Sequence, residues 1–143
     1  MKSNFPTNSK WLIIFLCVGL CQLTAVTADL VVANSTLDEK GGSKVVEVIV
    51  RYSQTPDALG GYIVLPDGWV LKSISGDTIP SILPETGSTH ELEFAWTSAP
   101  ASRASFQLEL KYPARTRAQV LHGEVILRSG GSVVRTPVHV LLD

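Results

Sequence analysis

Glu91 and Glu93 are the pair of residues in this sequence whose types and spacing come nearest to acid–base chemistry. On an extended strand, side chains two residues apart project from the same face, about 7 Å from each other along the chain. Two carboxylates at such a separation can hydrolyse a glycosidic bond. Here the intervening Leu92 and the following Phe94 are apolar, so the glutamates fall on the solvent side of an alternating strand. A small glycoside hydrolase is therefore the least favoured of three functional hypotheses.

The three histidines, His90, His122 and His139, do not form a metal-binding motif. None has the His-x-x-x-His spacing or a neighbouring cysteine, and zinc requires three or four converging ligands. His122 and His139 occupy positions where a strand faces solvent, so we expect surface histidines. Acidic loop residues also lack the regular spacing of a calcium loop: Asp38, Glu39 and Asp77. With no Gly-x-Ser-x-Gly elbow either, the sequence predicts no catalytic residue, no metal site and no cofactor.

Tyr62 and Trp69 are the candidate ligand contacts. Flat aromatic rings hold the faces of sugars in many binding modules, and these two flank a turn at Pro66–Gly68. The alternative is core packing. Core packing is the interpretation for Trp96 and Tyr112, which are in phase with buried positions.

Residues Leu83-Pro84-Glu85-Thr86-Gly87 match the sortase recognition pattern. A sorting signal is followed by an apolar run and a basic tail, whereas a strand-rich segment follows here. We interpret the match as a coincidence, since a motif acquires meaning only from its context.

The elements that position these residues are strands. Between His90 and Tyr112 two runs alternate apolar and polar residues, joined by a small, polar, proline-broken connection over 97–103. Period-two alternation indicates strands with one buried face. The residues predicted to face one shared core are Leu92, Phe94, Trp96, Phe106, Leu108, Leu110 and Tyr112.

Further strands are predicted on both sides of this pair. Residues 44–52 form a β-branched strand. Residues 69–75 form another, with Trp69 and Leu71 facing away from Val70, Lys72 and Ile74. The connection 76–89 is too apolar for a free loop and is expected to fold over an open end or edge.

Two last strands, at 118–128 and 133–142, are joined by a hairpin turn at Ser129–Ser132. Pro137 cannot donate a ladder hydrogen bond, so the final strand is predicted to lie at a sheet edge. The pattern as a whole predicts an all-β fold, a two-sheet antiparallel β-sandwich of about seven to nine strands.

The first 28 of the 143 residues have the order of a secretory signal peptide: Lys2 and Lys10, then an apolar run from Trp11 to Leu20, then a cleavage site after Ala28. That run is about half the roughly 20 residues that cross a bilayer, so we expect no stable membrane span after cleavage. The predicted division is a signal-peptide helix at 1–28 and a secreted domain at 29–143, located in the periplasm, at the cell surface or outside the cell.

Cleavage would remove both cysteines, Cys17 and Cys21, and two lysines, changing the formal net charge from −1 to −3. The domain would then be held together by burial alone, without a disulfide. It would also lack the basic field that binds nucleic acid or anionic lipid.

Five motifs resemble the immunoglobulin-like and cohesin-like β-sandwich modules of bacterial secreted and surface proteins: Leu65-Pro66-Asp67-Gly68-Trp69, Ser73-Ile74-Ser75-Gly76, Leu92-Glu93-Phe94-Ala95-Trp96, Ser105-Phe106-Gln107-Leu108-Glu109-Leu110 and Gly130-Gly131. The resemblance implies adhesion, spacing, scaffold binding or carbohydrate contact. The leading hypothesis is a non-enzymatic module that binds a protein partner at the cell envelope or extracellularly. The second is a carbohydrate-binding module that holds a polysaccharide through Tyr62 and Trp69.

Overall fold

The computed structural model describes residues 25–143. The predicted signal peptide lies almost wholly outside them, and its predicted cleavage point after Ala28 falls inside the first strand. The described residues form eight strands: β1 (Val26–Val32), β2 (Gly42–Tyr52), β3 (Ala58–Val64), β4 (Val70–Ser75), β5 (Glu91–Trp96), β6 (Arg103–Tyr112), β7 (Gln119–Ser129) and β8 (Ser132–Leu142). Over this range there is no helix of the length and hydrophobicity needed to cross a membrane.

The strands form two four-stranded antiparallel sheets packed face to face. Sheet A has the order β1-β2-β6-β4, and sheet B has the order β5-β3-β7-β8. The predicted all-β, two-sheet sandwich is confirmed. Although β5 and β6 are consecutive, they lie in opposite sheets, so the connection 97–103 crosses from one layer to the other.

The core lies between the two sheets and contains the side chains that the alternation predicted. Phe94, Trp96 and Phe106 form an edge-to-face cluster with ring centroids 5.0–5.8 Å apart, a geometry that aromatic quadrupoles favour. All seven core residues predicted between His90 and Tyr112 are buried. Because β5 and β6 belong to different sheets, these aromatic rings join the two layers.

The prediction that Ile74 faces away from Trp69 and Leu71 is wrong. The β4–β6 register shifts between Leu71 and Ser73, so that Leu71 pairs with Leu110 and Ile74 pairs with Leu108. Such a bulge inserts a residue and reverses the alternation beyond it. Lys72 and Ser73 consequently both face outward, and Ile74 packs against the core.

The connection 76–89 folds over a sandwich edge, as predicted. Ile82 forms an antiparallel bridge with Ala95 of β5, in which each backbone N–H donates to the other residue's carbonyl at 2.9 and 3.1 Å. Further on, Gly87 N donates to Leu71 O, and Leu71 N donates to Ser88 O. The connection therefore pairs with the outer edges of both β5 and β4.

The last strand, β8, is an edge strand of sheet B, as Pro137 predicted. It follows β7 through a two-residue turn in which Gly130 and Gly131 have φ values of 54° and 86°. Positive φ at both central residues is the requirement of a type I′ hairpin turn. That turn fixes the register of every residue pair between β7 and β8.

Candidate functional site

The outer faces of the two sheets differ in chemistry. Three ion pairs cross the outer face of sheet A: Asp29–Arg51 at 3.5 Å, Glu47–Arg103 at 3.5 Å and Lys72–Glu109 at 2.7 Å. Hydrogen bonds from Lys72 and Ser73 hold the pKa of Glu109 below its ordinary value. Most of the charged groups on this face are thus already paired within the protein.

The outer face of sheet B contains a groove of about 620 Å³. Its floor is a row of residues that the register aligns across all four strands: Ala95 on β5, Gly60 on β3, Ile126 on β7 and Arg135 on β8. Beside Ala95, the exposed side chain of Ile82 adds an apolar wall. The groove runs across the strands for roughly 14 Å, three times the spacing of neighbouring strands.

The floor of the groove lies low because β3 and β5 place almost no side-chain atoms there. A Cβ at Gly60 would lie 2.9 Å from the backbone oxygen of Phe94, so the backbones there are too close for any larger residue. On one side the half-buried Tyr62 stands above this floor, and on the other Ala58 leaves the surface low. The result is a mainly apolar surface with one aromatic wall and with Arg135 at its β8 end.

Charges of opposite sign flank the groove. Glu93 lies beside Tyr62 on one side, and Arg128 lies beside Ala58 on the other. Within residues 25–143 neither side chain forms an ion pair or a hydrogen bond. Arg135, by contrast, donates to Glu124 at 2.6 Å. Two unpaired charges of opposite sign are therefore free to meet a ligand.

The structure separates the two predicted ligand contacts. Tyr62 lies on the outer face of sheet B at the groove. Trp69 lies in the core with 0 % of its surface exposed, and its ring stacks on Tyr112 at a centroid distance of 5.2 Å. This burial removes Trp69 from the candidate contacts, because neither ring face can be reached by a sugar.

Glu91 and Glu93 are exposed on the outer face of sheet B, on the solvent side expected for them. His122 and His139 are exposed on the same face. In the part of the chain that the structure describes, no three His, Cys, Asp or Glu side chains gather closely enough to hold a metal ion.

The sortase-like residues Leu83–Gly87 lie in the connection between β4 and β5. Leu83 is exposed, as are Glu85, Thr86 and Gly87, and the segment is held to β4 through the hydrogen bond from Gly87 N to Leu71 O. The segment that matches the sortase pattern therefore helps to cover the outer edge of β4.

Sequence reasoning missed the floor of the groove. A glycine inside a strand often marks a close backbone approach, and Gly60 carried that signal. Ala95, Ile126 and Ile82 carried none, because their alignment with Gly60 depends on the strand order of sheet B.

No protein-family model matches the sequence, and no curated protein matches it. Among solved structures, the chain resembles the full-length major pilin SpaD of Corynebacterium diphtheriae, with a TM-score of 0.60 at 12 % identity over 81 % of this chain and 35 % of the pilin. A protein from Nocardia farcinica with an immunoglobulin-like fold gives a TM-score of 0.47 at 17 % identity, covering 76 % and 81 % of the two chains.

A cohesin from Archaeoglobus fulgidus gives a TM-score of 0.45 at 11 % identity, covering 80 % and 89 % of the two chains. The chain spans about a third of the full-length pilin. At these identities the likeness concerns the fold alone. The likeness to the pilin is a likeness of fold, a two-sheet β-sandwich, which agrees with the β-sandwich that the sequence motifs implied.

Proposed function

We propose that this chain is a secreted, non-enzymatic β-sandwich module that binds a protein partner at the cell envelope or outside the cell. The observation that carries the proposal is the groove on sheet B. The apolar part of its floor, Ala95, Gly60 and Ile126, and its aromatic wall resemble the centre of a protein interface, where charged residues are depleted and tyrosine is enriched; Arg135 stands at the β8 end and is paired with Glu124.

The dimensions of the groove favour an extended segment of the partner. A length of roughly 14 Å accommodates about four residues of extended chain. An apolar side chain of that segment would lie on Gly60 and Ala95, and Glu93 and Arg128 would bind charged groups on its two sides. Such flanking charges contribute orientation and specificity more than affinity.

The test is a capture experiment with envelope proteins from the native organism, followed by calorimetric titration of the protein retained. Ala95→Arg together with Ile126→Glu blocks the floor while leaving the core unchanged. The control is Val45→Glu, at an exposed apolar position, 49 % exposed, on the outer face of sheet A.

We expect the wild-type protein and the control to bind the same discrete partner and the groove variant to lose it. Equal retention by the groove variant would contradict the proposed site. Retention of a polysaccharide instead of a protein would contradict the proposed partner class.

The position of Tyr62 supports a second candidate, a carbohydrate-binding module. Its ring stands at the groove with part of its surface exposed, as an aromatic contact for a pyranose would. On this hypothesis Tyr62→Ala abolishes binding on a glycan array, and Trp69 plays no direct part. If neither the wild type nor the variant binds any glycan on the array, the carbohydrate-binding hypothesis is contradicted.

A further inference from the structure

His122 and His139 are direct partners across the β7–β8 pair. They come from the two arms of the hairpin that the Gly130–Gly131 turn closes. Both side chains are exposed on the outer face of sheet B. The pairing follows from the hairpin turn at Ser129–Ser132, because the residue seven positions before Ser129 along β7 meets the residue seven positions after Ser132 along β8.

The pair is of the non-hydrogen-bonded type. Ser129 and Ser132 flank a two-residue turn and so form a hydrogen-bonded pair. Hydrogen-bonded and non-hydrogen-bonded pairs alternate along an antiparallel ladder. His139, an odd number of residues beyond Ser132, therefore belongs to a non-hydrogen-bonded pair.

Two further observations agree with this assignment of hydrogen-bonded and non-hydrogen-bonded pairs. Pro137, which has no N–H to donate, occupies a position of the same kind. The backbone N–H and C=O of Asp143 point away from β7 and bond to Ser35 and Leu37. The alternation of hydrogen-bonded and non-hydrogen-bonded pairs is therefore supported at three points: the turn, the middle of β8 and the end of β8.

Non-hydrogen-bonded partners have Cα atoms only about 4.5 Å apart and the closest side chains of the ladder. Two imidazoles on such a pair can reach one ion at the usual metal–nitrogen distance of about 2.0–2.1 Å. The nearest carboxylate along β7 on this face, that of Glu124, already accepts a hydrogen bond from Arg135 at 2.6 Å. Water would complete the coordination of a bound ion.

We propose that His122 and His139 form a two-histidine chelate for a divalent transition-metal ion, with Cu²⁺ bound in preference to Ni²⁺ and Zn²⁺. Imidazole nitrogen suits all three ions, and at a site of given ligands affinity rises to its maximum at copper. A tetragonal ion also accepts two protein nitrogens with water in its other positions. The site is separate from the groove and does not depend on the proposed protein partner.

The test is titration of the purified protein with Cu²⁺, followed by calorimetry and by pulsed EPR, which detects coordinated imidazole. Three single variants are compared: His122→Asn, His139→Asn and, as the matched control, His90→Asn, which changes an exposed histidine outside this pair. Circular dichroism establishes that each variant is folded.

We expect one Cu²⁺ per chain and an EPR signal from two imidazoles in the wild type and in His90→Asn. Each of the other two variants should lose the two-imidazole signal and bind Cu²⁺ more weakly. Unchanged binding in either of those variants would overturn the proposal. So would one ion per two chains, because the ligands would then come from two copies.

Discussion

Trp69 shows how a residue whose side chain could bind a ligand is instead used for packing. Its ring is stacked on Tyr112 with an interplanar angle of 29°. The Tyr112 hydroxyl accepts a hydrogen bond from Asp38 N at 2.9 Å, whereas the Trp69 indole N–H is buried without a partner among residues 25–143. An unpaired buried donor is unfavourable by about 1–3 kcal/mol, so Trp69 stabilises the fold through its apolar surface.

Substitutions at Trp69 should therefore separate ring packing from the polar group. Trp69→Ala is expected to lower the free energy of unfolding by about 3–5 kcal/mol, because it leaves a large cavity. Trp69→Phe should lower the free energy of unfolding by less, since it keeps a ring against Tyr112 and removes the unpaired N–H. Urea denaturation followed by circular dichroism measures both values.

The matched comparison is Trp96→Phe. The Trp96 indole donates to Thr78 O at 3.1 Å, so this change removes a hydrogen bond that Trp69 lacks. We expect Trp96→Phe to be more destabilising than Trp69→Phe. The reverse order would mean that the Trp69 N–H has a partner in solution.

Phase within a strand was enough to predict that Trp96 and Tyr112 are buried, and it left Tyr62 and Trp69 open between core packing and a ligand contact. Trp96 and Tyr112 each alternate with other apolar residues, so their burial followed from period two. Trp69 stands between a turn and β4, and Tyr62 lies in a strand with two glycines. Their different environments depend on contacts with strands far away in the chain.

At the level of elements, the bulge in β4 places two donors on one carboxylate. Lys72 Nζ and the Ser73 hydroxyl lie 2.7 and 2.9 Å from the two oxygens of Glu109. The sequence did not predict this, because alternation assigns adjacent residues to opposite faces and only a bulge assigns them to one. The same bulge explains the inward position of Ile74.

The hydrogen bonds from Lys72 and Ser73 lower the pKa of Glu109 below its ordinary value in the folded state, which gives its contribution to stability a defined sign with pH. A carboxylate with a depressed folded pKa stabilises the fold above its unfolded pKa, and the contribution disappears as the pH falls through the folded pKa. Glu109→Gln should therefore be destabilising at pH 7 and nearly neutral once the wild-type carboxyl is protonated in acid.

Thermal unfolding of both proteins between pH 7 and pH 3 tests this expectation. Glu91→Gln, at an exposed position of sheet B, is the control and should show no such convergence. A constant difference between wild type and Glu109→Gln over the whole range would contradict the ionic contribution.

The bridge at Ile82 covers the outer edge of β5, and its removal should have a local effect. Ile82→Pro removes the donor to Ala95 O and is expected to weaken the whole bridge. Hydrogen exchange should then accelerate at the Ala95 amide, which donates to Ile82 O at 3.1 Å. The Val138 amide in β8 should exchange at the wild-type rate. Equal acceleration at both amides would indicate global destabilisation instead.

At the level of the whole molecule, most strand pairs join distant parts of the chain. β2 pairs with β6, β3 pairs with β7, and β4 pairs with β6. Each such pair requires closure of a long loop before any contact forms, so topologies of this kind fold slowly. Alternation predicted the strands themselves, but the order β5-β3-β7-β8 that builds the groove depends on these long-range pairs.

We expect folding on the millisecond-to-second timescale typical of β-sandwiches. Stopped-flow dilution from urea, followed by tryptophan fluorescence, measures the rate directly. Gly130→Ala in the hairpin turn, where φ is positive, should mainly slow folding if β7–β8 forms early, and mainly speed unfolding if it forms late. Folding within microseconds would contradict a mechanism limited by long-range pairing.

The two ends of the sandwich determine how it would respond to mechanical load. β1 begins at Val26, opposite Tyr52, while Asp143 is bonded to Ser35 and Leu37, just beyond the other end of β1. A pulling force applied at Asp29 and Asp143 would therefore act along the strands. β1 would be loaded in shear against β2, with the residue pairs from Asp29–Ile49 to Val32–Val46 sharing the force instead of opening one after another. Resistance to such a load depends on the unfolding rate, so this geometry would let the module transmit tension between whatever is attached at its two ends.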